Sequence, residues 1–164
     1  MQYRLLLAVA LALIITAGAA CAQDGDAVMS EITTIVRQPV AEWRYSVQDV
    51  PDGAVPALDD TAWKTGSPEF EWGQEPAAWL RTTITVPDSF LGTPVKGSSI
   101  RLMCGVDDAG VIYVNGNEVA AFNWDLGDAV ITQSAVPGEK LNIAIKANNT
   151  GGPGRLLFAY LRFD

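Results

Sequence analysis

Histidine is missing from all 164 residues. Its absence removes the commonest general base, the commonest zinc ligand and every Ser-His or Cys-His nucleophile. Cysteine is nearly missing too: Cys21 lies at the end of an apolar leader, which leaves Cys104 alone in the rest of the chain. An intrachain disulfide is therefore not expected, and Cys104, inside the run Ile100-Arg101-Leu102-Met103-Cys104, reads as a buried small hydrophobe. Positive charge is scarce, with 11 Lys and Arg against 19 Asp and Glu and a net charge of -8. Without a basic cluster the chain lacks the electrostatic footprint of a nucleic-acid binder, so neutral ligands such as glycans, or a cation, suit it better. Sustained helical periodicity is absent after the leader.

The leader itself is a signal peptide. One positive charge in residues 1–4 precedes an almost unbroken Leu, Ala, Ile and Val run over residues 5–16, then small residues. That run is too short to cross a hydrocarbon core, which takes roughly 20 residues. Ala20-Cys21-Ala22 offers an A-x-A cleavage site with a mature start at Gln23, and Cys21 after small residues also offers a lipidation site. The residues leave both routes open. The first gives a periplasmic or extracellular protein; the second gives an outer-membrane lipoprotein whose only membrane contact is a lipid on Cys21. The expected organisation is signal peptide 1–22, polar linker 23–30 and one domain over 31–164.

The punctuation of that domain is β. Short runs rich in Val, Ile, Thr and aromatics are separated by Gly, Pro, Asn and Asp, and they predict strands over 43–47, 81–86, 99–104, 111–114, 117–122, 129–134, 140–147 and 156–163. In 140–146 the residues Leu141, Ile143 and Ile145 share one face, which belongs on the core. About eight such runs predict an all-β, two-sheet antiparallel sandwich of jelly-roll type. Asn115-Gly116 between two strands is the preferred sequence for a two-residue type I′ hairpin.

If each strand reverses the one before, connections 87–98, 115–116 and 135–138 share the hairpin end. Connections 64–80, 105–109, 123–128 and 148–154 then share the other. This second end collects Glu71, Trp72, Trp79, Asp107, Asp108, Asn123, Trp124, Asp125, Asn148, Asn149 and Arg155, whereas the first holds mostly Pro, Gly, Ser and Lys. A polar and aromatic rim on a rigid scaffold is the pattern of a binding edge.

Three segments, residues 79–87 (Trp-Leu-Arg-Thr-Thr-Ile-Thr-Val-Pro), 105–116 (Gly-Val-Asp-Asp-Ala-Gly-Val-Ile-Tyr-Val-Asn-Gly) and 141–149 (Leu-Asn-Ile-Ala-Ile-Lys-Ala-Asn-Asn), resemble the sugar-binding jelly-roll domain of family 2 glycoside hydrolases. That domain belongs to the galactose-binding-like β-sandwich superfamily. The resemblance runs over about residues 59–163. It implies the same fold and a non-catalytic accessory role, because in those enzymes the catalytic carboxylates sit in a separate barrel. Domains of that superfamily often hold a structural calcium, so the resemblance leaves two alternatives open, a structural calcium or no cofactor.

The chemistry of the rim agrees with carbohydrate recognition. A sugar offers apolar C–H faces and a fringe of hydroxyls, so its site needs a flat aromatic with planar amides, carboxylates or Arg around it. Trp72 or Trp124 would supply the platform, and Asp107, Asp108, Asn123, Asn148, Asn149 and Arg155 the polar contacts. Trp43, Trp63 and Trp79 lie in or beside strands and are expected in the core. Asp107, Asp108, Asp125 and Asp128 are the oxygen donors that a calcium ion would take; the alternative is that these acidic loops are solvated turns. Glu69, Glu71 and Glu75 are the carboxylates a glycosidase would need, but one crowded loop makes a poor cleft, and no catalytic residue is expected. The expected function is a non-catalytic carbohydrate-recognition module whose partner is a glycan or polysaccharide. The alternative is a structural or protein-interaction sandwich without a sugar site, and burial of Trp72 and Trp124 would favour it.

Overall fold

Alternation in sequence becomes alternation in burial. Over 140–148 Leu141, Ile143, Ile145 and Ala147 are buried while Lys140, Lys146 and Asn148 face solvent. Each of the three large side chains removed from water contributes roughly 1.5–3 kcal/mol. The computed structural model describes residues 37–48, 50–124 and 126–164. The signal peptide, the two routes at Cys21, the linker, the first residues of the expected domain and Asp125 lie outside the described residues.

The strands are β1 (Gln38–Pro39), β2 (Trp43–Ser46), β3 (Lys64–Gly66), β4 (Glu71–Gly73), β5 (Ala77–Thr85), β6 (Ser89–Phe90), β7 (Thr93–Pro94), β8 (Ile100–Val106), β9 (Ala109–Val114), β10 (Asn117–Asn123), β11 (Gly127–Thr132), β12 (Lys140–Asn148) and β13 (Gly154–Phe163). Among the described residues they form a five-stranded sheet in the order β1-β13-β8-β11, with β4 also on β13, and a six-stranded sheet in the order β10-β9-β12-β5-β2-β3. A small β6-β7 ribbon stands apart. All pairs are antiparallel. The inner faces of the two sheets share one core, including Trp43, Leu80, Ile100, Leu102, Ile112, Ile143, Ile145, Leu156 and Leu161. This is the expected all-β sandwich.

Each long strand predicted from the sequence is present, with ends shifted by a few residues. The expected 81–86 begins at Ala77 because its ladder with β12 runs on to the pair Ala77 and Asn148. Strands of two or three residues, such as β1, β3 and β4, have no period to read and were invisible in the sequence. Asn115 (φ 50°) and Gly116 (φ 85°) both take the left-handed conformation of a type I′ turn, as expected.

Trp43 is in the core, with its Nε1 donating to the Val40 carbonyl at 2.9 Å. Trp79 is buried elsewhere: it lies on the outer face of the six-stranded sheet, beneath Gly53, beside Tyr113 and under the ammonium of Lys146. Trp63 is half-buried, and Arg81 sits over its ring. The segment carrying Gly53 and Asp60 is strapped across this outer face by Arg81, which donates to Gly53 O, to Pro56 O and to Asp60 Oδ2.

Candidate functional site

Strict reversal of the long strands brings the rim together. Asn148 pairs with both Ala77 and Ala109, Asn123 pairs with Ala109, Gly127 with Cys104 and Gly154 with Gly73. The β8–β9, β10–β11 and β12–β13 connections and the β4–β5 link therefore share one end. Hydrogen bonds tie them: Trp124 N to Asp108 O, Asn149 N to Pro76 O, and Asp107 N to Arg155 O.

The predicted site residues divide into three groups. Trp72, Asp108 and Asn149 are buried. Trp72 belongs to the core, with its indole filling the place where a side chain on Gly154 would stand. It is a packing residue, not the exposed platform envisaged from its polar neighbours. Asp108 Oδ2 accepts from the backbone N–H and from the hydroxyl of Thr150, and these bonds hold its carboxyl below the usual range. Asn149 donates to Glu75 O and Gly152 O and accepts from Gly151 N. Both polar residues are spent on joining loops.

A second group, Asp107 and Arg155, lies at the end of the five-stranded sheet. Arg155 Nη2 meets Glu71 Oε1 at 3.1 Å, while its Nε stands 3.9 Å from Asp107 Oδ2 and has no hydrogen-bond partner.

The third group faces water. Asn123 and Asn148 are exposed and flank Ala109 on neighbouring strands, so their side chains lie on one face, about 10 Å apart across β9. Trp124 follows Asn123 and is 71% exposed. Its φ is +59°. A bulky residue in the left-handed region is an outlier whose backbone costs of order 1–3 kcal/mol, and such outliers concentrate at functional sites. On the far side of Asn148 a hollow of about 360 Å³ is lined by Gln48, Glu75, Trp79, Lys146 and Asn148. The rim thus offers an exposed indole, two amides and a shallow concavity in a row.

Of the four expected calcium donors, Asp125 lies outside the described residues. Among the described residues no three of them come together. Asp108 is committed to Thr150, and Asp128 to Arg101 at 2.6 Å. Of the three loop glutamates, Glu71 is paired with Arg155 and Glu75 lines the hollow.

Sequence reasoning missed the contributions of Gln48 and Lys146 to the hollow, because both sit in patterns that read as ordinary solvated strand faces. It also missed the packing of Phe122. The ring of Phe122 fills the space that side chains on Gly110 and Gly127 would need, which explains a glycine in β9 and another in β11 of the facing sheet.

Neither a protein-family model nor a curated protein sequence matches the chain. Solved structures do match in fold. A glycosyl hydrolase family 2 member from Bacteroides cellulosilyticus superimposes with a TM-score of 0.65 at 19% identity, over 78% of this chain and 20% of that one. A β-glucuronidase from Bacteroides uniformis gives 0.65 at 17% identity, over 77% and 18%. A β-glycosidase from Bacteroides vulgatus gives 0.64 at 17%, over 77% and 20%. The chain therefore has the fold of a segment of these family 2 proteins and spans about a fifth of their length.

Proposed function

We propose that this protein is an exported, non-catalytic carbohydrate-recognition domain that binds a glycan along the rim from Trp124 to the hollow at Asn148. The apolar leader supports export, and the fold shared with part of the family 2 enzymes supports a carbohydrate setting. Trp124 carries the reading. The fold would be served better by glycine or asparagine at φ +59°, and water would be served better by almost any smaller side chain. An indole that is costly on both counts and still present is explained by a ligand that stacks on it. Asn123 and Asn148 then supply planar hydrogen-bonding amides to sugar hydroxyls, and Gln48 and Glu75 add acceptors in the hollow.

Trp124→Gly is the decisive variant. It relieves the backbone, so the melting temperature holds or rises by a few °C, while loss of the stacked face weakens glycan binding by about tenfold or more. A glycan array followed by calorimetry on the hit measures both. A marked loss of stability would make Trp124 structural. An array without any hit would favour the second reading, a supporting domain, which the burial of Trp72, Asp108 and Asn149 already suits.

A further inference from the structure

Among the described residues the six-stranded sheet has a strand position that is only half occupied. Between β5 and β3 the lane belongs to β2, which pairs with β5 from Ser46 back to Arg44 and then stops. The chain before it crosses to the other sheet, where Val40 N donates to Ala159 O, and after Gly66 the β3 side curls away through a turn from Phe70 N to Ser67 O. What remains is a cleft of about 620 Å³ lined by residues that include Glu42, Arg44, Asp60, Ser67, Thr82 and Thr83.

The direction of the backbone on the β5 wall follows from the far side of β12. Asn142 uses its own N–H and C=O toward Asn115, on the β9 side. Its cross-strand partner on β5 is Thr83. That pair is therefore the non-hydrogen-bonded kind, and the N–H and C=O of Thr83 point away from β12, into the vacant lane. By the same two-residue period Thr85 does likewise, whereas Thr82 and Ile84 are bonded to β12. No described residue supplies a backbone partner to Thr83 or Thr85 on this side.

We propose that this cleft accepts an extended, cationic peptide segment of a partner protein, added antiparallel to β5 in the lane that β2 vacates. Alternating N–H and C=O groups at strand spacing are what an extended peptide complements, and pockets beside the lane take its alternate side chains. The charge of the partner follows from the whole chain. At the cleft Arg44 and Arg81, both drawn to Asp60, are balanced by Asp60 and the exposed Glu42, whereas the chain as a whole carries -8. A basic strand is attracted to such a chain, and a second copy of it is repelled. The cleft is separate from the glycan rim, so the two activities stand or fall independently.

Amide hydrogen exchange by NMR on the whole protein tests the geometry first. In the free protein Thr83 and Thr85 exchange fast while Thr82 and Ile84 are protected. If all four are equally protected, the lane is not vacant and the proposal fails. If protection of Thr83 rises with protein concentration alone, the occupant is a second copy and the proposal also fails. The probe is then a synthetic alternating Thr-Lys peptide at low salt. It slows exchange at Thr83 and Thr85 by about tenfold or more when near saturation, and a version interrupted by proline does not. The Thr83→Pro variant keeps its ladder with β12, since the lost N–H has no partner there, and no longer responds to the peptide. Glu42→Lys, at an exposed position on the wall of the cleft, weakens the response while leaving the free backbone groups of β5 in place. A peptide that leaves Thr83 fast, or that protects it equally in both variants, overturns the proposal.

Discussion

Asp108 carries charge for structural ends. Its carboxylate is stabilised by the hydroxyl and then the backbone N–H of Thr150, so its folded pKa is depressed. A depressed carboxyl contributes stability that is complete above the unfolded value of about 3.9 and is lost as pH falls through the folded one. Asp108→Asn should therefore melt lower than the parent at pH 7, with the difference shrinking as pH falls below about 4; pH-dependent thermal melts of the two proteins measure it. Cys104 is the opposite case. Burial pushes its thiol up to about 12. Thiol reagents at pH 8 should leave the native protein unlabelled and modify Cys104 only on unfolding, because the thiolate is the reactive form. Cys104 was legible from its apolar neighbours alone. Trp72 and Trp124 both sit among polar turn residues, so the local sequence left the exposure of each open; the burial of Trp72 has its cause in Gly154, far along the chain in β13.

At the level of elements, local turn chemistry and long-range packing separate cleanly. The hairpin between β9 and β10 could be read from Asn115-Gly116 because two residues determine it. Gly116→Val places a β-branched side chain at φ +85° and brings its Cβ to 3.3 Å from Pro56. The expected loss is about 2 kcal/mol, read as a lower denaturation midpoint with an unchanged slope. Gly154→Ala should cost about 1–3 kcal/mol for a different reason, since its methyl group would occupy the space of the Trp72 indole. Nothing in the local sequence around Gly154 announces that cost. The rim shows the same division: strand reversal told which loops meet, but not that Asp108 and Asn149 would turn inward to bind those loops together.

On the scale of the whole molecule, counting strand directions was enough to place four connections at one end. It could not say how the side chains there would be shared between two sheets. Asn123, Asn148 and the hollow belong to the six-stranded sheet, while Arg155, Glu71 and Asp107 belong to the other, and Trp124 stands on the corner strand connection between them. The dispersal of the acids gives a further expectation. Chelation should leave the melting temperature unchanged, because Asp108 and Asp128 already have protein partners; a fall of several °C in EDTA would show a bound cation.

The pairing of β1 with the far end of β13 has a consequence for how this domain can be attached. Gln38 lies opposite Leu161, so the first and last described strands have neighbouring ends on the side of the sandwich that carries the Asn115-Gly116 hairpin. Anything fused beyond Asp164 departs from there. A tether, a fluorescent protein or a chip linker joined at Asp164 would hold the domain with Trp124 at the opposite end, so immobilisation through that point leaves the indole free.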